Sequence, residues 1–151
     1  MVVRKIKFSK KEIPEISKKI LDKVKKIKNK NARVVAFSGD LGAGKTTITQ
    51  EIAKHLGIRE KIISPTFVIM KSYKINPSSE YYSHFKKLIH IDAYRLDSHL
   101  DLLKLGWEEL IVDKDNLVII EWPERVSECI PTIATFALIS HIDEGSREIE
   151  F

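Results

Sequence analysis

Residues Gly39 to Thr46 read Gly-Asp-Leu-Gly-Ala-Gly-Lys-Thr and match the phosphate-binding loop G-x-x-x-x-G-K-[S/T] at every fixed position. Before the loop lies a short apolar run, Val34-Val35-Ala36-Phe37, of the kind that makes a buried strand. After it, Thr46 to Leu56 reads as a helix, with Ile48, Ile52 and Leu56 recurring every four residues. Strand, loop and helix in that order commit this part of the chain to an α/β fold. Glycines let the backbone curl until successive N–H groups point inward at a phosphate. The helix N-terminus adds partial positive charge at the same spot. Asp40, Leu41, Gly42, Ala43, Gly44, Lys45, Thr46 and Thr47 are therefore the expected nucleotide-binding residues. Lys45 is placed to reach the outer phosphates, and Thr46 offers a hydroxyl to magnesium.

Patterning along the chain extends the α/β reading. Val2 to Phe8 alternates enough for a strand, and Ser9-x-x-Glu12 forms a capping box ahead of a first helix, with Pro14 a competing start. Ile13, Ile16, Ile20, Val24 and Ile27 make one apolar stripe on that helix, which Asn29-Lys30-Asn31 ends. Gly57 stops the second helix. Thr66 to Ile75 is β-branched and aromatic and reads as a strand, followed by a turn at Asn76-Pro77-Ser78-Ser79 and a disordered or variable loop to Lys87. Leu88 to Asp92 and Leu117 to Glu121 are apolar strands. Ser98 to Val112 is helical, broken at Gly106. Thr132 to Ile142 and Arg147 to Phe151 form a hairpin around Asp143-Glu144-Gly145-Ser146. The expected fold is a layered α/β sheet, partly parallel with antiparallel strands at its ends, in one domain over residues 1–151.

Ligands in such sheets bind beyond the carboxyl ends of the strands. Both Leu88-Ile89-His90-Ile91-Asp92 and Leu117-Val118-Ile119-Ile120-Glu121 end in an acid there, in the form of a Walker B strand. One acid suffices to hold magnesium opposite Thr46, and the other can orient or deprotonate an attacking water. Which does which stays open at this level. Lys45, Asp92 and Glu121 are thus the candidate catalytic residues, and Thr46, Glu121 and Asp92 the candidate metal ligands. Thr66, in Ser64-Pro65-Thr66-Phe67, either senses a γ-phosphate as switch loops do or merely starts a strand. Trp122 either walls the nucleotide site or caps the core. His90 lies two residues before Asp92 on the same strand face and can belong to the site, whereas His55, His84, His99 and His141 form no pair at metal-ligand spacing.

Charge narrows the class of partner. Of the chain's net +5, the first 30 residues hold 12 Lys/Arg against 3 Asp/Glu, so the remainder is net acidic. Those lysines fall between the apolar positions of the first helix, residues 9–28, and make either a solvated face or a surface for RNA phosphate or an acidic partner. No apolar run approaches a membrane span, no secretory h-region is visible in Met1–Lys11, and the lone Cys129 excludes an internal disulfide. A cytoplasmic protein is expected.

The runs Gly39–Thr47, Ser64–Phe67, His90-Ile91-Asp92-Ala93-Tyr94-Arg95-Leu96 and Ile120-Glu121-Trp122-Pro123-Glu124-Arg125 together resemble the TsaE family of small bacterial ATPases, also called YjeE. The order and spacing fit across nearly the whole chain. The longer segment Asn76 to Lys87 and the lysine-heavy first helix depart from the pattern. The resemblance implies a P-loop NTPase-type fold and a magnesium-dependent ATPase, weak alone and stimulated by partners. It implies binding to the TsaD–TsaB pair, whose turnover in making N6-threonylcarbamoyladenosine on tRNA the ATP hydrolysis supports, without transferring the group itself. It further implies Thr46 and Glu121 at magnesium, Asp92 as the Walker B acid, Thr66 in the switch loop and Trp122 beside the nucleotide.

Two other classes share the loop. A small-molecule kinase needs an acceptor pocket and an arginine-bearing lid, and no lid segment is evident. A GTP switch commonly uses N-K-x-D after a strand, which Asp113-Lys114-Asp115-Asn116 does not supply.

Overall fold

The computed structural model describes residues 3–151. Its strands are β1 (Lys5–Phe8), β2 (Arg33–Ser38), β3 (Met70–Lys74), β4 (Lys87–Asp92), β5 (Asn116–Glu121), β6 (Thr135–Asp143) and β7 (Ser146–Glu150). Its helices are α1 (Ile13–Lys25), α2 (Lys45–His55), α3 (His99–Leu103) and α4 (Trp107–Ile111). Short 3-10 segments cover Lys10–Glu12 and Pro123–Cys129. The strand expected from Val2 begins, among the described residues, at Lys5; Val2 itself lies outside them.

All seven strands form one sheet in the order β1-β7-β6-β2-β5-β4-β3. The central strands β6, β2, β5 and β4 run parallel, while β3 at one edge and the β7–β1 pair at the other are antiparallel. The mixed sheet and the C-terminal hairpin are as expected. Strand alternation sends Val35, Phe37, Leu88, Leu117 and Ile119 to one face, where Ile16, Ile20, Leu21 and Val24 of α1 and Ile48, Ile52 and Ala53 of α2 cover them. It sends Val34, Ala36, Ile89, Ile91, Val118 and Ile120 to the other, beneath Leu102 of α3, Trp107 of α4 and Val126. Each fully buried Val, Leu, Ile or Phe in these stripes contributes about 1.5–3 kcal/mol relative to exposure. Cover on the second face stops short of β6, whose Phe136 and Leu138 stay 53% and 46% exposed.

Four local expectations change. The strand expected over Thr66–Ile75 is β3 alone; Thr66–Ile69 is a turn, because Ile69 adopts φ 68 and the Ser64 and Thr66 hydroxyls bond to Asp92 instead of leaving the segment free to pair. Helix α1 ends at Lys25, ahead of Asn29: the Lys26 and Ile27 amides close i→i−3 bonds to Lys23 and Val24, and Asn29 turns its side-chain amide to the Ala32 carbonyl. The capping box at Ser9 and Glu12 opens the 3-10 turn, and α1 proper starts at Ile13, with Pro14 in its first turn. The segment expected to be a disordered or variable loop, 76–87, is pinned. Tyr81 and Phe85 are fully buried, and Tyr81 donates its hydroxyl to Asp22 of α1 at 2.9 Å. The helical stretch expected over Ser98–Val112 is interrupted where expected, with Gly106 at φ 86 between α3 and α4.

Candidate functional site

The turn from β2 into α2 brings Gly39–Lys45 over the carboxyl ends of β2, β4 and β5. Gly39 must be glycine: a Cβ there would lie 2.5 Å from the carbonyl oxygen of Ile139 on β6. Gly42 and Gly44 hold φ 77 and 112, and a Cβ on either would meet no atom within 4 Å, so bare backbone faces open space. Gly44 is the N-cap of α2, which places that helix's free amides at the same opening. Arg147 of β7 donates from Nε to the Ala43 carbonyl at 3.2 Å and supports the loop from behind. No sequence signal points to that arginine, since the contact spans 104 residues.

Lys45 is buried. Its Nζ donates to the carbonyl of Asp40 at 3.0 Å and to that of Gly39, and lies 4.3 Å from the centre of the Trp122 ring. Burial holds the amine below its ordinary pKa, opposed by the charges of Glu121, Glu124, Asp92 and Asp40. Trp122 adopts φ 58, which turns the chain sharply after β5, and Tyr94 packs on its ring at 5.1 Å between centres. Of the two arginines near the site in sequence, Arg95 stacks on Phe67 at 4.4 Å and Arg125 lies over Tyr94 at 5.6 Å.

Parallel pairing sets the two acids side by side: Asp92 of β4 and Glu121 of β5 are register partners, 4% and 3% exposed. Glu121 Oε1 accepts from the Thr46 hydroxyl at 3.0 Å and lies 3.0 Å from His90 Nε2. Asp92 Oδ2 accepts from Ser64 Oγ at 2.8 Å and Thr66 Oγ1 at 2.9 Å, and Oδ1 accepts from the Tyr94 backbone N–H at 3.0 Å. A cavity of about 410 Å³ is lined by Leu41 through Thr47, Ser64, Thr66, Asp92, Tyr94, Glu121 and Trp122. Of the residues singled out in the sequence it gathers all but Asp40 and His90; Asp40 joins through its carbonyl bond to Lys45, and His90 lies behind Glu121, 3.0 Å from its Oε1. Ser64 is the addition, legible beforehand only as a second hydroxyl in Ser-Pro-Thr.

An anion is suited to the bare amides and the lysine. The hard oxygen donors beside them, one hydroxyl and two carboxylates, suit magnesium, which is commonly held by one or two carboxylates together with substrate phosphates and water. Among the described residues no cluster of three or more His, Cys, Asp or Glu side chains makes an all-protein metal cage. None of the helices described is long and apolar enough to cross a membrane.

Comparison with known proteins identifies the family and the fold type. The family model for "Threonylcarbamoyl adenosine biosynthesis protein TsaE" matches residues 9–149. Proteins named tRNA threonylcarbamoyladenosine biosynthesis protein TsaE are similar to it. That of Nostoc sp. is 38% identical over 78% of this chain and 68% of its own length, and that of Treponema pallidum 34% over 77% and 78%. The Rickettsia felis relative is 36% identical over 76% of this chain, but the match spans only 61% of that protein. The crystal structure of YdiB from Bacillus subtilis superposes with a TM-score of 0.67 at 28% identity, over 100% of this chain and 86% of that one. The fold is of the P-loop NTPase type with a mixed sheet, and the chain belongs to the TsaE family.

Proposed function

We propose that residues 1–151 act as one P-loop ATPase domain, binding ATP with magnesium in the cavity over β2, β4 and β5. Its slow hydrolysis supports turnover of the TsaD–TsaB pair in threonylcarbamoyladenosine modification of tRNA in the cytoplasm. The observation that carries this reading is the Thr46–Glu121 hydrogen bond at the head of α2, in the same cavity as Lys45 and the bare amides of Gly42 and Gly44. In this reading the loop amides and Lys45 hold and neutralise the phosphates. Thr46 and Glu121 hold the magnesium ion, with Asp92 beside them. A magnesium ion held by these residues would supply charge neutralisation for phosphoryl transfer. Asp92 orients the attacking water and, through Ser64 and Thr66, ties that role to the position of the loop. Trp122 and Tyr94 wall the nucleotide.

A weak, gated enzyme fits the chemistry. Phosphoryl transfer depends on positioning and charge neutralisation, and arginine fingers supply much of the latter in related NTPases. Here Arg95 and Arg125 are stacked on aromatic rings, so a partner completes or rigidifies the site. The test is ATP hydrolysis by the chain alone and with TsaD–TsaB and tRNA, alongside Glu121→Ala. Turnover that rises with the partners and is lost in the variant supports the reading. Equal turnover in all four cases overturns it.

The tRNA contact through α1 is proposed as weak. Lys18 pairs with Glu80 at 2.8 Å, Lys19 with Glu15 at 2.9 Å and Lys25 with Asp22 at 3.0 Å, so part of the basic face is already neutralised. Replacing Lys18, Lys19, Lys25 and Lys26 with glutamate is expected to abolish a salt-sensitive tRNA shift in a binding assay. Binding that survives the change leaves that face merely solvated.

A further inference from the structure

Strand β4 contains a residue that its packing does not call for. Leu88, His90 and Asp92 share one face of the strand; Leu88 is fully buried and so is His90, whose register partner on β5 is Ile119. An aliphatic side chain would fill this position without burying a polar ring. The imidazole instead has one nitrogen, Nδ1, buried with no hydrogen-bond partner among the described residues, an arrangement that costs stability. Its other nitrogen, Nε2, lies 3.0 Å from Glu121 Oε1. A carboxylate only accepts, so Nε2 carries the hydrogen and donates it.

Both hydrogen bonds to Glu121 fall on the same oxygen: Thr46 from α2 and His90 from β4 converge on Oε1. Two donors on two separate elements restrain the carboxylate through Oε1, while Oε2 accepts no hydrogen bond from the described residues and Glu121 lines the cavity. His90 is fully buried and is not among the residues lining that cavity. Supporting bonds of this kind orient ligating carboxylates in metal sites generally.

We propose that His90 is a positioning residue: its Nε2–H holds Glu121 in the geometry that binds magnesium with ATP, at the expense of a buried, unpaired Nδ1. The inference rests on the proposed magnesium–ATP site. Its specificity lies in which nitrogen matters. Glutamine carries an amide where Nε2 sits, asparagine carries one where Nδ1 sits, and leucine carries none.

The test compares His90→Gln, His90→Asn and His90→Leu with the wild-type chain and Glu121→Ala. Binding of a fluorescent ATP analogue is titrated with magnesium chloride and repeated in chelator; kcat, KM and Tm are measured alongside. His90→Leu and His90→Asn are expected to raise the half-saturating magnesium concentration and to lower kcat, each by about 10–100-fold. Magnesium-free nucleotide affinity and KM at saturating magnesium should change less than about twofold, since no contact to the nucleotide is lost. His90→Gln should recover most of both losses. Should the leucine variant fail to fold, the Gln–Asn contrast decides alone. Equal behaviour of the Gln and Asn variants, or wild-type magnesium dependence in His90→Leu, overturns the role for His90. Unchanged magnesium dependence in Glu121→Ala overturns the proposed site itself, a result distinct from the other two.

Discussion

The ends of β4 and β5 are register partners on neighbouring strands and chemically alike, yet they are held in opposite ways. Glu121 is fixed by Thr46 in the first turn of an 11-residue helix and by His90 on the neighbouring strand. Asp92 is held by hydroxyls from a turn, Ser64 and Thr66, and by the next backbone amide but one. That turn presents Phe67 and Val68 to solvent at 83% and 66% exposure, and Ile69 at its end sits at φ 68, where a β-branched residue is strained. One acid is therefore anchored to a helix and a central strand, the other to a turn whose tip is exposed. Equivalent strand positions are held differently according to what reaches over to them.

Four measurements break or sharpen this contrast. The largest effect is expected from Glu121→Ala, which should lower partner-stimulated hydrolysis on the order of 10²-fold or more, because it removes an acid proposed to hold the metal ion that offsets transition-state charge. Asp92→Ala should retain nucleotide binding and lose hydrolysis by a smaller factor, while residues 64–69 become readily cleaved by protease. If instead Asp92→Ala leaves the turn as resistant as before, the turn is not held by that acid. Next comes Thr66→Val, which deletes one of the two hydroxyls on Oδ2. A net loss of about 1 kcal/mol is expected from one such bond, read as faster amide exchange over 64–69 with no change over β5. Equal acceleration in both places removes the distinction.

The smallest effect tests a region remote from both acids. Burial, reinforced by the bond to Asp22, pushes the Tyr81 hydroxyl from its ordinary 10.0 up to about 12. A group raised in this way favours the neutral form in the fold. Its contribution is fully present below pH 10 and is lost as pH rises toward 12. Tm should therefore fall more steeply over that window in the wild type than in Tyr81→Phe, with ATP binding at neutral pH the same in both. Parallel Tm curves, or a binding defect in the variant, would show that the 76–87 segment is not the independent anchor described above.

How much of this was legible beforehand differs by residue. The phosphate loop, both acid-terminated strands and the break at Gly106 were readable because each is a pattern within about ten residues. Thr66 was readable only as an alternative, because a hydroxyl bonding an acid 26 residues away leaves no local trace. The same limit misplaced the start of β3: β-branched and aromatic composition favours a strand, but the tie to Asp92 and the left-handed Ile69 hold Thr66–Ile69 as a turn. It also made 76–87 look unconstrained, since Tyr81 and Phe85 read as aromatics in a polar stretch until α1 packs against them.

The sequence by itself determined the strand–loop–helix at Gly39–Thr46, the alternation of elements and the carboxylates at strand ends. Glycine spacing, apolar period and chain breakers act over one or two turns and need no distant partner. Only the tertiary structure decided the order β1-β7-β6-β2-β5-β4-β3, the in-register pairing of Asp92 with Glu121 and the convergence of Thr46 and His90 on one oxygen. Those contacts join residues 29 to 75 positions apart. What selects them is the burial of two whole sheet faces at once, a free energy that belongs to the assembled layers and to no stretch of chain.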